Sequence, residues 1–248
     1  MSEIDWSASS QGSWRAILRL STWKLPQLQE RRGSVRVQDF PLGATVDHVR
    51  WWARERRWYR LGRPIPTPHS VKVRTIRAYA RRFGIDTFVE TGTYLGDTVQ
   101  AMRKSFSQIY TVELDPQLYR RASKRFSGIP HVHMLHGDSA AVLGDLLPRL
   151  EGSCLFWLDG HYSGKGTARG QDDSPLRSEL AHILARGNAN DVVLIDDARE
   201  LKGTGGYPTL TSLTEYLCGE CPSWRIWVHN DMVHVIPRPT GRSRHSDV

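Results

Sequence analysis

The sequence predicts an α/β domain built on a mostly parallel sheet of seven strands, covered by helices on both faces. Two observations carry that expectation. After Gly84, short apolar runs of strand length alternate with amphipathic stretches of helical length, the pattern of parallel strands joined by crossover helices. The last two runs are separated by Asp231 alone, a connection so short that they must pair as an antiparallel hairpin.

The elements before Gly84 read as helices. From Thr45 to Leu61 the segment TVDHVRWWARERRWYRL places Trp51, Trp52, Trp58 and Tyr59 on one side and Arg50, Arg54, Arg56, Arg57 and Arg60 on the other, at about 100° per residue. Gly62, Pro64, Pro66 and Pro68 stop it. Ser70 is placed to cap a second helix, VKVRTIRAYARRF, that ends at Gly84. The strands expected next are DTFVE (86–90), IYTVEL (109–114), HVHML (131–135), CLFWLD (154–159), VVLIDD (192–197), RIWVHN (225–230) and MVHVIP (232–237). Between the first five lie the helical segments DTVQAMRKSF, PQLYRRASKRF, SAAVLGDLLPRL and SPLRSELAHILARG. The expected organisation is a basic, Trp-rich helical extension over 1–69, the sheet domain over 70–237 and a basic disordered tail over 238–248.

Composition narrows the class. A chain of 248 residues with 39% hydrophobic and 24% charged residues suits one folded domain with an appendage, not a disordered chain. No apolar run approaches the roughly 20 residues that cross a bilayer, and MSEIDWSASS lacks the basic and apolar regions of a secretory signal. Three cysteines cannot form a disulfide framework, which points to a cytoplasmic protein. The net charge of +8 is concentrated: residues 1–80 hold 15 Lys/Arg against 6 Asp/Glu, the remaining 168 hold 19 against 20, and six of the nine tryptophans also precede residue 81. Such a front end suits contact with an anion, whether nucleic acid, the inner membrane surface or an acidic acceptor. The Trp face of the 45–61 helix has three readings: packing on the sheet domain, insertion at a membrane interface, or stacking on an acceptor.

Ligands of open parallel sheets bind beyond the carboxyl ends of the strands, and there the sequence places acids in succession. The first strand ends FVETGTYLGDT, with Glu90 at its tip and Gly92, Thr93 and Gly96 in the turn that follows. Glycines let the backbone approach a ligand closely, although Tyr94 stands where a GxGxxG loop has its second glycine. The second strand ends TVELD, so Glu113 can accept from both hydroxyls of a ribose. The third ends HMLHGDSA, where Asp138 can accept from an exocyclic amine and Ser139 can cap the next helix. Three acids on successive tips suit a cationic ligand carrying ribose and adenine, not one recognised through its phosphates.

ETGTYLG, VELD and HGDS together resemble the class I S-adenosylmethionine-dependent methyltransferases, over roughly residues 70 to 237. The resemblance implies a Rossmann-like methyltransferase fold. It also implies that Glu90, Gly92, Thr93, Gly96, Glu113, Asp138 and Ser139 bind the cofactor, with the first acid near the methionine amine, the second on the ribose and the third at the adenine amino group.

Asp159 ends the fourth strand and Asp196 and Asp197 the fifth. Three neighbouring carboxylates repel one another unless a cation joins them, and all-oxygen ligation suits Mg²⁺. The alternative is that Asp196 contacts cofactor or backbone and no ion binds. The arrangement resembles metal-dependent O-methyltransferases of the catechol and macrolide-sugar type. That implies a metal chelating vicinal acceptor oxygens. The glycine-rich stretch LDGHYSGKGTARGQDDSPL is placed to close over substrate. Within it His161 is the candidate general base, its alternatives being an acceptor contact or a metal neighbour. Lys165, Arg169 and Arg199 could meet an anionic part of the acceptor, and KGTGGYPTL with Tyr207 could form another acceptor wall.

Other features read more plainly. His131, His133 and His136 lack an acidic or Cys partner and suit surface or packing roles. Cys218 and Cys221 lack the second pair a structural zinc needs, and Asp172 and Asp173 suit a solvated turn. The expected function is Mg-assisted O-methylation of a small molecule or glycan of sugar, polyketide or glycolipid type by a chain that could form a homo-oligomer. The alternatives are an RNA methyltransferase gripping phosphates with the basic region and a non-catalytic S-adenosylmethionine-binding or scaffold protein.

Overall fold

The computed structural model describes residues 46–160 and 175–238, with backbone alone at 46–50 and 52. His161, Lys165, Arg169, Asp172 and Asp173, the first three tryptophans and the tail from 239 lie outside the described residues. The chain divides into two compact units, Met1–Pro64 and Ile65–Val248. In the first, the expected basic helix is present as α1 (Val46–Arg60). Its end is fastened locally: Trp58 Nε1 donates to the Pro64 carbonyl at 2.5 Å, and the Arg63 guanidinium lies 5.2 Å from the centre of the Tyr59 ring.

The second unit opens with α2 (His69–Phe83), which ends at Gly84 in the left-handed region, φ 62°. Ser70 does not cap this helix. Pro68, extended at φ −59°, precedes it with no side-chain cap, and its carbonyl accepts from Val71 N and Lys72 N, so Ser70 falls inside the first turn.

Seven strands follow: β1 (Thr87–Thr91), β2 (Gln108–Glu113), β3 (Val132–His136), β4 (Cys154–Leu158), β5 (Val192–Ile195), β6 (Trp224–His229) and β7 (Met232–Pro237). The helices α3 (Asp97–Met102), α4 (Pro116–Phe126), α5 (Ser139–Leu146), α6 (Leu176–Ala185) and α7 (Leu210–Glu220) lie between them. The sheet order is β3-β2-β1-β4-β5-β7-β6. β1 to β5 run parallel and β7 runs antiparallel to both β5 and β6. Strand order therefore reverses between β1 and β4, the place where such sheets open a ligand crevice.

Side-chain alternation divides the core between the two faces. Phe88, Ile109, Leu155, Trp157 and Leu194 point to one face and pack with Val73, Ile76, Val99, Met102 and Phe126 of α2, α3 and α4. Val89, Phe156, Leu158, Val193 and Val235 point to the other and pack with Leu143, Leu180, Ile183, Leu213 and Leu217 of α5, α6 and α7. Because β4 and β5 are covered on both faces, their sequences, CLFWL and VVLI, are apolar throughout.

Two details differ from the sequence reading. The β6–β7 turn has two residues, since His229 pairs with Met232. Asn230 and Asp231 take φ of 50° and 55°, the left-handed pair that a tight hairpin needs. Helix α7 forms from a stretch to which the sequence reading assigned no element, starting at the last residue of KGTGGYPTL, and Thr209 caps it by accepting from Ser212 N at 3.1 Å. The β3 histidines take packing roles as expected: His133 stacks on Tyr110 at 4.7 Å and His136 on Tyr119 at 4.8 Å. Cys221 is buried in the second cluster, its thiol donating to Leu217 O. No described helix is long and apolar enough to cross a membrane.

Candidate functional site

The acids converge at the carboxyl ends of the parallel strands. Glu90 is fully buried near the tip of β1, where Thr111 Oγ1 donates to its Oε2 at 2.6 Å. Burial pushes its pKa from 4.5 to about 8, with the Thr111 bond opposing and the charges of Asp159 and Glu113 adding to the rise. Gly92 follows at φ +83°, and a Cβ there would stand 2.5 Å from the Asp159 carbonyl oxygen. Only glycine allows the turn after β1 to pass so close to the end of β4. The Thr93 hydroxyl is 2.6 Å from that of Thr111, so it braces β1 against β2 from a buried position. Gly96, also left-handed, packs where a Cβ would lie 2.6 Å from the Phe126 ring. Tyr94 sits between them at φ 49°, a conformation that is costly for an aromatic residue and clusters at ligand clamps.

Glu113 ends β2 with both oxygens engaged by backbone. Oε2 accepts from Tyr94 N at 2.7 Å and Oε1 from Asp115 N at 2.9 Å. Each oxygen keeps a second acceptor direction, so the carboxylate is aimed without being saturated. Beyond β3 it is Asp138, not Ser139, that caps α5: its Oδ1 accepts from Ala140 N at 3.0 Å and Ala141 N at 3.3 Å. Asp138 Oδ2 takes no part in this cap, and Ser139 becomes the buried first residue of the helix.

The tips of β4 and β5 carry an ion-pair network. Asp196, its side chain 1% exposed, accepts from the Lys72 ammonium, which also lies 3.4 Å from Asp197 Oδ1. Arg199 grips Asp197 bidentately, Nη1 to Oδ1 at 2.7 Å and Nη2 to Oδ2 at 2.9 Å, and its Nη1 also meets Asp231 Oδ2. Asp231 Oδ1 in turn accepts from Arg199 N at 2.9 Å. Asp197 holds a left-handed backbone, φ 51°, with its N–H on Asp196 Oδ1 at 2.8 Å. Burial alone would lower the Lys72 pKa, but the charge and hydrogen bond of Asp196, then Asp197 and Asp159, leave it above its ordinary value. Lys72 is therefore an ammonium at neutral pH.

This arrangement does not fit Mg²⁺. The ion demands near-ideal octahedral oxygen ligation, whereas both oxygens of Asp197 face Arg199 and Asp196 faces Lys72. Among the described residues no group of three His, Cys, Asp or Glu side chains could hold a metal ion. Arg199, expected to meet the acceptor, is committed to Asp197 and Asp231. Tyr207 packs against the second apolar cluster.

Three residues of the site escaped sequence reasoning. Lys72 shares a helical stripe with the buried Ile76 and Tyr79, so a cation at i, i+4 and i+7 from apolar positions was the available signal. Glu179 likewise stands on the buried stripe of α6 with Leu176, Leu180 and Ile183. Burial pushes its pKa to about 7 against the hydroxyls of Ser139 and Thr91, and among the described residues its Oε1 has no hydrogen-bond partner. Asp231 carried no such signal, because its role depends on the hairpin returning to the tip of β5. A separate cavity of about 510 Å³, lined by Leu143, Leu147, His182, Arg186 and Asn188 among others, lies by the segments that enter β4 and β5, away from these acids.

No family model and no curated protein matches the sequence. Solved structures match the fold. An O-methyltransferase from Bacillus cereus in complex with S-adenosylhomocysteine (SAH) is 12% identical, with a TM-score of 0.52 over 81% of this chain and 94% of that one. A putative caffeoyl-CoA O-methyltransferase from Staphylococcus aureus is 10% identical, with a TM-score of 0.51 over 79% and 93%. The SAH-bound methyltransferase PaMTH1 from Podospora anserina is 17% identical, with a TM-score of 0.50 over 79% and 89%. At such identities the likeness is one of fold. The chain has the Rossmann-like fold of these methyltransferases, with its C-terminal antiparallel hairpin.

Proposed function

We propose that the protein transfers the methyl group of S-adenosylmethionine to a hydroxyl oxygen of a small molecule or glycan. The observation that carries this reading is the succession of Glu90, Glu113 and Asp138 on the ends of three adjacent strands. Each has a carboxylate oxygen available to one part of a cationic nucleoside ligand. The glycine turn fits the same ligand, since Gly92 removes the side chain that would obstruct close passage of backbone. That similar folds include SAH-bound O-methyltransferases supports the choice of ligand and of oxygen as the acceptor atom.

Bound S-adenosylmethionine would supply an electrophilic methyl group with its own leaving group. Transfer would exchange the S–CH₃ bond for an O–CH₃ bond, with SAH as the leaving group and the acceptor proton taken up by a base of the protein. The chain's own part is to hold donor and acceptor in line and to take up that proton. Glu113 orients the ribose, Asp138 Oδ2 accepts from the adenine amino group, and Glu90 faces the methionine amine. His161 remains the candidate base, and His161→Ala should lower turnover roughly 100-fold or more. Divalent-ion assistance is not part of this reading, given the cations already seated at the β4 and β5 tips.

Calorimetric titration with SAH, with NADH as control, tests the proposal. Stoichiometric binding of SAH alone is expected, and binding of NADH in its place would overturn the cofactor assignment.

A further inference from the structure

Resting on that reading, a further inference concerns what stands beside the acceptor oxygen. Asp159, Asp196 and Asp197 occupy the ends of the two strands next to the β1 crevice, and the sequence alone suggests a divalent ion among them. The structure has protein cations there instead. Lys72 projects from α2 onto Asp196 and lies 3.4 Å from Asp197, its side chain 16% exposed. Arg199 takes both oxygens of Asp197 and holds Asp231 as well. A Mg²⁺ entering this space would meet two positive side chains and would have to displace them from the carboxylates of Asp196 and Asp197.

We propose that the Lys72 ammonium is the resident cation of the acceptor site, in the place of a divalent ion, and that methyl transfer by this protein is metal-independent. An ammonium has three N–H donors. Two are directed to Asp196 and Asp197, which leaves one for an acceptor oxygen. The substrate class changes accordingly. A metal chelates and selects vicinal oxygens, whereas a point charge with one remaining donor holds a single oxygen. The acceptor is thus a molecule presenting one reactive hydroxyl, and a neighbouring hydroxyl is not required.

The test combines Mn²⁺ binding, followed by electron paramagnetic resonance of the free ion, with turnover measured in Mg²⁺ and in EDTA. The wild-type protein is expected to show no stoichiometric Mn²⁺ site and equal turnover in both buffers. Lys72→Ala is expected to lower turnover about 100-fold while SAH affinity stays within about twofold, with partial activity in Lys72→Arg. Should Lys72→Ala fail to fold, Lys72→Gln and the wild-type Mn²⁺ titration still decide. One Mn²⁺ per wild-type chain that is lost in Asp196→Asn, or turnover abolished by EDTA, would overturn the inference. So would wild-type turnover in a folded Lys72→Ala protein. Absence of SAH binding would instead remove the proposed function, while SAH binding together with one Mn²⁺ would remove this inference alone.

Discussion

Tyr94 donates its backbone N–H to Glu113 Oε2 at 2.7 Å, tying the left-handed turn after β1 to the tip of β2. The bond fixes the direction of the carboxylate within the fold itself, so in the proposed ribose contact Glu113 would act preorganised.

Glu113→Ala is therefore expected to weaken SAH binding by about 2 kcal/mol, roughly 30-fold. Glu113→Gln should fall between, because it keeps one acceptor oxygen and presents an amide to the other backbone N–H. Calorimetry measures both. Wild-type affinity in the alanine variant would take Glu113 off the ribose.

Glu90 gives the site a pH dependence whose sign follows from its burial. With a pKa pushed up to about 8, the carboxyl is mostly protonated at neutral pH in the free protein. It must ionise to face the methionine ammonium. SAH affinity should rise as pH increases toward 8 and level off above it, and binding at pH 7 should release a proton. Titrations in buffers of different ionisation enthalpy count that proton. Glu90→Gln should abolish its release, and proton uptake by the wild type would contradict the assignment.

Much of this was legible beforehand. The seven strands follow from short apolar runs spaced by helix-length segments, and the positions of Glu90, Glu113 and Asp138 follow from where those runs stop. The ion-pair network was not legible, because it depends on distances across the fold. Lys72 and Asp196 are 124 residues apart, and nothing local to VVLIDD shows that its charge is met by a helix preceding the sheet. Ser70 misled for a different reason. It is a good capping residue placed after Pro68, which itself takes the cap position, so the helix begins at His69, two residues before the expected Val71.

Stability and binding should separate at the other end of the sheet. Arg186 Nη1 contacts Asp191 Oδ1 at 2.7 Å and Oδ2 at 2.5 Å, while its Nη2 donates to the carbonyls of Leu150 and Gly152. Asp191 is fully buried and also accepts from Cys154 N. Arg186→Ala leaves that carboxylate without its cation, at a cost of about 3–5 kcal/mol in denaturant unfolding. SAH affinity of the folded fraction should not change. A loss under 1 kcal/mol would show that water replaces the guanidinium at no great cost.

His234 predicts acid sensitivity. It is buried against Trp227, with its Nδ1 3.0 Å from the Tyr79 hydroxyl, and burial lowers its pKa from 6.5 to about 4. A histidine whose folded pKa lies below its unfolded value loses protons on folding, so stability is complete above about pH 6.5 and falls as pH drops toward 4. The loss amounts to about 3 kcal/mol. His234→Gln should flatten that slope in unfolding curves taken from pH 4 to 7, and an unchanged slope would place its origin elsewhere.

The order of the sheet also governs how the chain emerges from the ribosome. β5 is flanked by β4 and β7, yet β7 is the last of the seven strands in sequence. Until it is synthesised, the Val192–Ile195 edge has an open row of backbone donors and acceptors along an apolar surface, a template for pairing with another nascent chain. Asp231 arrives with the same hairpin, so Arg199 gains its second carboxylate at the moment that edge closes. Chains cut before Met232 should consequently be recovered as aggregates bound to chaperones, while full-length chains emerge with the edge sealed and Arg199 held between Asp197 and Asp231 in one late event.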